Sequence, residues 1–269
     1  MSTLLFYDNP IALNSVTHRN LKMKASDEGL KFTGKTNSVL LAGVEFPEAC
    51  KHFPIVFSKT AGNRALPMAL LGFRDSENLF VDAGGRWTSE YVPAYIRRYP
   101  FVLAKSDAGQ EMTVCIDESY PGFGADEGLP LFSKGGEPTD YLKGVLSFLQ
   151  DYQAQLQHTE LFLQTLLDFD LLTDVSASVS LPGGERYSLT GLMMVDERKL
   201  QALPDEKVMR LFRSGELAWV YSHLVSISNF SRLPRMAGKP TPEDVTTPPS
   251  KAASATRKNT EPGQKPVRK

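Results

Sequence analysis

The chain has 269 residues, 41% of them apolar and 10% aromatic, with 30 Lys and Arg against 31 Asp and Glu for a formal net charge of −1. These fractions sit near the averages for soluble globular proteins and exclude a fibrous class. Both charge signs are interleaved along most of the body, which disfavours nucleic-acid binding, since that needs a clustered basic face.

The N-terminus has no basic leader, and Asp8, Asn9 and Pro10 interrupt its apolar start, so no cleavable signal is expected and the expected compartment is cytoplasmic. The longest apolar stretches, such as Leu66 to Phe73, fall well short of the ~20 residues that span a bilayer, so no transmembrane insertion is expected. Cys50 and Cys115 are too few for a disulfide framework and read as small buried hydrophobes.

Between Ser38 and Asp117 the runs SVLLAGVEF, FPIVFS, LPMALLGF, ENLFVDA and MTVCID are short, rich in Val, Leu, Ile and Phe, and closed by turn residues, which predicts strands. Asp82-Ala83-Gly84-Gly85 predicts a tight turn joining two antiparallel strands. In SEYVPAYIRRYPF, the spacing of Tyr91, Tyr95, Ile96 and Tyr99 predicts a short helix that admits Pro93 in its first turn and ends at Pro100.

Thr139 and Asp140 offer an N-cap to a long helix whose seam runs through Leu142, Val145, Leu149, Tyr152, Leu156, Leu163 and Leu166, with Thr159 at the one polar position. A second β-hairpin follows, DVSASVSL and GERYSLTGLMMV around Pro182-Gly183-Gly184, with Val175, Ala177, Val179 and Leu181 on one face. LPDEKVMRLFRSG then predicts a helix closed by Gly215, with GELAWVYSHLVSI as another. The expected fold class is α+β, with a mixed, mainly antiparallel sheet in the N-terminal half, one long central helix, a second β-hairpin and two C-terminal helices. One globular domain is expected over 1–233, then a disordered, basic, Pro-, Lys- and Thr-rich tail over 234–269 that lacks the apolar surface to offset its ordering entropy.

His18, His52, His158 and His223 are scattered singly with no ligand spacing, so no metal site is expected. Gly84-Gly85 and Gly183-Gly184 match no phosphate-binding loop, and no G-x-S-x-G elbow occurs, so no cofactor and no catalytic residue is assigned. Asp117 and Glu118 end an apolar strand, where acids serve turns far more often than catalysis. The segment RWTSEYVPAYIRRYPF concentrates Trp87, Glu90, Tyr91, Tyr95, Arg97, Arg98 and Tyr99, a composition suited to ligand recognition by stacking and guanidinium forks. From it Trp87, Tyr91, Tyr95, Arg97, Arg98 and Tyr99 are the candidate ligand-binding residues. The alternative is that the tyrosines pack the helix on the sheet while the arginines are solvated.

ALNSVTHRNLKM, EFPEACKHFPIVFS, ALLGFRDSENLFVDAGGRW, YVPAYIRRYPFVLA, CIDE, GLPLF with GEPT, GLMMVDERKLQALPDE and SGELAWVYSHLVSISN occur in an order that resembles the bacterial SapC family. That family takes its name from a surface-layer-associated protein and is distinct from the peptide-transport permease of the same name, whose several apolar spans are missing here. The resemblance supplies no catalytic residues or cofactor. It implies an accessory role near systems for peptide or nutrient uptake or modification, and cell-surface association as an alternative location.

Three readings follow: a non-catalytic binding or accessory protein with a protein or peptide partner, a structural surface-layer protein, or an enzyme that brings His52 or His223 to Asp117 or Glu118. An exposed side of the long helix would also suit a homo-oligomer.

Overall fold

Short apolar runs closed by turn residues become strands through much of the computed structural model, which describes residues 5–60, 64–105, 112–180 and 186–237. The strands are β1 (Pro10–Ala12), β2 (Lys22–Met23), β3 (Ser38–Leu40), β4 (Ile55–Thr60), β5 (Arg64–Leu70) and β6 (Phe101–Lys105). They continue with β7 (Met112–Asp117), β8 (Phe123–Gly124), β9 (Leu129–Pro130), β10 (Leu172–Ser180) and β11 (Arg186–Val195). The helices are α1 (Phe46–Ala49), α2 (Ala94–Arg97), α3 (Asp140–Asp168), α4 (Glu197–Gln201), α5 (Asp205–Arg213), α6 (Glu216–Ser226) and α7 (Leu233–Ala237).

The α+β class is as expected, and the sheet is organised differently. Among the described residues three sheets form, in strand orders β10-β11-β4-β5-β3, β1-β7-β6 and β8-β2-β9. All pairings among these strands are antiparallel. The second hairpin does not stand apart: β11 pairs with β4, Leu192 opposite Ser58 and Met193 opposite Phe57. On β10, half-buried Val175 and Ala177 alternate with exposed Asp174, Ser176 and Ser178. The Val179 side chain, Leu181 and the Pro182-Gly183-Gly184 turn lie outside the described residues.

Two expected strands are mostly something else. Of SVLLAGVEF only Ser38–Leu40 is strand, and Gly43–Glu45 forms a 3-10 turn leading into α1, because the Glu45 carboxylate accepts the Ala42 N–H at 2.8 Å and folds the chain back. ENLFVDA makes a turn at Asp82–Gly85, where Gly85 has φ +84°, but its flanks meet only through a single Val81–Trp87 bridge. The Asn78 side chain diverts that run from a ladder, since its carbonyl accepts the Phe80 N–H while its amide donates to Thr33. Helix α7 continues across the boundary expected after residue 233, and 238–269 lie outside the described residues.

Helix α3 starts where Thr139 accepts the Leu142 N–H and runs 29 residues, about 44 Å at 1.5 Å per residue. It belongs to two cores. Leu142 and Leu149 pack with Phe101, Ile116 and Leu131, whereas Phe162, Leu163 and Leu166 pack with Val39, Phe46 and Phe57. Between them Tyr152 packs on Ala42 and Ala94. The polar seam residue Thr159 is buried for a reason: its hydroxyl accepts the Gly43 N–H at 2.8 Å and donates to the Gln155 carbonyl. Gly43 is held so close to Trp219 that a Cβ there would stand 2.4 Å from two of its ring atoms.

Gly43→Ala should therefore destabilise the protein by about 1–3 kcal/mol through overpacking. In chemical denaturation the penalty should shrink in a Trp219→Leu background, where the obstructing ring is gone; an equal penalty in both backgrounds would contradict this packing.

Candidate functional site

Sequence places six candidate residues around one short turn, and their surroundings divide them. Trp87 stacks near Phe80 and Phe53, and its Nε1 donates to the Tyr91 carbonyl at 2.8 Å. Tyr91 donates its hydroxyl to Glu45 Oε1 at 2.7 Å, and Tyr99 donates its own to Asp117 Oδ2 at 3.2 Å. Burial is the main reason that both phenols are pushed up and keep their protons.

Tyr95 and the two arginines face differently. The Arg98 guanidinium carbon lies 4.0 Å from the Tyr95 ring centroid and 5.8 Å from those of Tyr7 and Tyr152, a cation bordered by three aromatic rings. Arg97 is exposed, reaches over Phe148 and Tyr91 at 5.3 and 5.9 Å, and donates Nε to the Val92 carbonyl. Among the described residues neither arginine has an acidic group within ion-pair distance.

Glu45 fixes this arrangement from below. It is 5% exposed, and besides Ala42 N–H and the Tyr91 hydroxyl its carboxylate accepts the Ala94 N–H at 2.7 Å. Burial raises its pKa and these three bonds hold it back. Glu45 and Tyr7 carry no site motif in the sequence pattern, and Tyr152 stands there only as a seam position. The available signal was a carboxylate within the apolar run AGVEF.

Of the residues considered for acid–base chemistry, Asp117 and His223 are taken up by other hydrogen bonds. Asp117, with no exposed surface, accepts from the backbone N–H groups of Asp8 and Asn9, from Ser119 and from Tyr99. Burial pushes its carboxyl up, but the bonds from Asn9, Ser119 and Asp8 outweigh that and hold it below the usual range. Glu118 is exposed and accepts from the Asn9 side chain. His52 is half-buried and has Glu90, Arg232, Lys51 and Glu48 as its charged neighbours. His158 rests on Trp219 at 4.8 Å with Glu216 3.6 Å away. No hydrogen bond or ion pair joins His52 or His223 to Asp117 or Glu118 among the described residues.

His223 replaces a piece of sheet. Continuing the β4–β11 register past Met193 and Phe57 would pair Val195 with Ile55. Instead the imidazole stands between them, Nε2 accepting the Val195 N–H at 3.1 Å and Nδ1 facing the Ile55 carbonyl at 2.9 Å. Those roles require a neutral ring protonated on Nδ1, and burial lowers its pKa to about 4. The Ile55 N–H completes the junction by donating to Ser226 Oγ.

An apolar groove of about 320 Å³ also runs between α3 and β5, lined by Leu40, Leu66, Pro67, Leu156 and Leu163. Its Thr159 hydroxyl is already committed to Gly43 and Gln155, and Arg64 and Glu160 at its rim lie 3.8 Å apart.

The family model described as SapC matches residues 13–233. No curated protein and no solved structure matches the chain.

The His223 geometry sets a pH dependence. With a folded pKa near 4 against 6.5 for the free side chain, the unfolded chain binds the extra proton between those values and the native state does not. This histidine's contribution is complete above pH 6.5 and falls as pH drops toward 4, by on the order of 3 kcal/mol. NMR titration should find the His223 ring neutral at pH 5, and a midpoint near 6.5 would contradict the insertion.

Proposed function

The chain belongs to the SapC family, and from that premise we propose that it is a non-catalytic binding protein, an accessory to systems for peptide or nutrient uptake or modification. The observation that carries this reading is a contrast in how polar side chains are used. Asp117 and His223, two of the groups considered for proton transfer, are saturated by backbone and hydroxyl partners. Arg97 and Arg98 are adjacent, stand on aromatic rings and have no acidic partner among the described residues.

Guanidinium groups stiffened by stacking lose little freedom when they engage an anion, so a ligand or partner presenting negative charge is the complement this surface favours. No helix among the described residues is long and apolar enough to cross a membrane. The reading therefore places the partner surface on the 94–98 turn and the adjoining face of α3.

The test is capture from the host's lysate and envelope fractions with the full chain and with the double variant Arg97→Ala, Arg98→Ala. The wild type should retain a specific protein or peptide that the double variant loses, while circular dichroism shows the fold intact. The same captured set from both proteins would remove this surface, and a covalently altered product formed by wild type alone would replace the non-catalytic reading with an enzymatic one.

A further inference from the structure

Two buried donors border the same cluster of aromatic rings. Tyr152 is 6% exposed and its hydroxyl has no hydrogen-bond partner among the described residues, and the Nε of Arg98 is buried without one there as well. Native interiors rarely leave such groups unmatched, and an ordered water or ion commonly accounts for those that are. They come from distant parts of the chain, α3 and the residue following α2, and meet in the box of Tyr7, Tyr95 and Tyr152 rings around the guanidinium. The Tyr7 hydroxyl beside it donates to the Phe101 carbonyl and turns its accepting side to the Arg98 guanidinium, whose Nε stays unmatched.

Resting on the binding reading above, we propose that Arg98 and Tyr152 form the seat of a ligand carboxylate, with Arg98 Nε–H and the Tyr152 hydroxyl as its two donors. The chemistry of the seat selects the ligand. Both groups donate, because a guanidinium does not lose its proton in proteins and burial keeps the phenol protonated, so the ligand atom must accept. Water would satisfy the donors, whereas an anion would also give the guanidinium the ion pair it lacks among the described residues.

The anion is singly charged and flat. Glu45 holds the backbone N–H groups of Ala42 and Ala94, the two residues that pack on Tyr152, so its own carboxylate lies behind the seat and opposes a dianion. Tyr95 covers one face of the guanidinium, which leaves approach along its edge, the geometry in which a planar carboxylate meets arginine.

The experiment titrates the full chain with sodium acetate, with an N-acetylated dipeptide acid and with the same dipeptide as its C-terminal amide. It follows the Arg98 Nε–H resonance, assigned by its loss in Arg98→Lys. A carboxylate should move that resonance saturably and the amide should not. Response to acetate as well as the peptide acid assigns the seat to small acids, and response to the peptide acid alone assigns it to a chain terminus. Tyr152→Phe should weaken carboxylate binding by about tenfold or more. In carboxylate-free buffer the same variant should be at least as thermostable as wild type, because it discards an unmatched buried hydroxyl. Equal shifts from acid and amide, an unmoved resonance, unchanged binding by Tyr152→Phe, or a less stable free Tyr152→Phe would each overturn the seat. An unmoved resonance with Arg97- and Arg98-dependent capture intact overturns the seat alone. Loss of that dependence overturns the binding reading beneath it.

Discussion

A single buried carboxylate ties three parts of the molecule together. Glu45 accepts the N–H groups of Ala42 and Ala94 and the hydroxyl of Tyr91, which joins the turn before α1, the entry to α2 and the aromatic segment between them. Taking a carboxylate out of water costs several kcal/mol unless its lone pairs are met, and bonds to a charged acceptor contribute about 1.5–3 kcal/mol each, so three of them offset the cost. The tie has consequences on both sides. It sets Gly43 against Thr159 and under Trp219, locking α3 to α6, and it fixes where α2 presents Arg97 and Arg98.

The same use of polar side chains recurs across the molecule. His223 spans two strands where the ladder opens, Asp117 gathers the N-terminal segment onto the end of β7, and Asn229 donates to the carbonyls of Cys50 and Phe53. Each meets backbone groups that irregular chain leaves without a ladder partner, which an interior cannot leave unmet without cost. The Arg98 Nε and the Tyr152 hydroxyl depart from that pattern, as His18 Nε2 does elsewhere.

The long helix was legible because Leu142 to Leu166 repeat at helical spacing over many turns and an N-cap marks the start. The β4, β5 and β7 strands were legible from dense runs bounded by turn residues. What escaped was set by contacts far apart in sequence. ENLFVDA has the composition of a strand, but Asn78 draws it aside to Thr33, 45 residues away. AGVEF reads as strand until Glu45 reaches Ala94, 49 residues away. Past the end of the β4–β11 ladder the two strands are bridged by His223, which periodicity treats only as a helix residue. The candidate site was half legible: the Arg and Tyr composition of 87–99 was visible, whereas Tyr7 and Tyr152 reach Arg98 only through the tertiary fold.

The most direct test of this account is amide hydrogen exchange in wild type and in Glu45→Gln. A glutamine side chain has one accepting oxygen where glutamate has two, so one arm of the tie must fail. The amide of Ala42, of Ala94 or of both should exchange at least about tenfold faster in the variant while the amides of Ile55–Thr60 keep their protection. Wild-type protection at both Ala42 and Ala94 in the variant would contradict the claim that Glu45 holds the arginine-bearing turn in place.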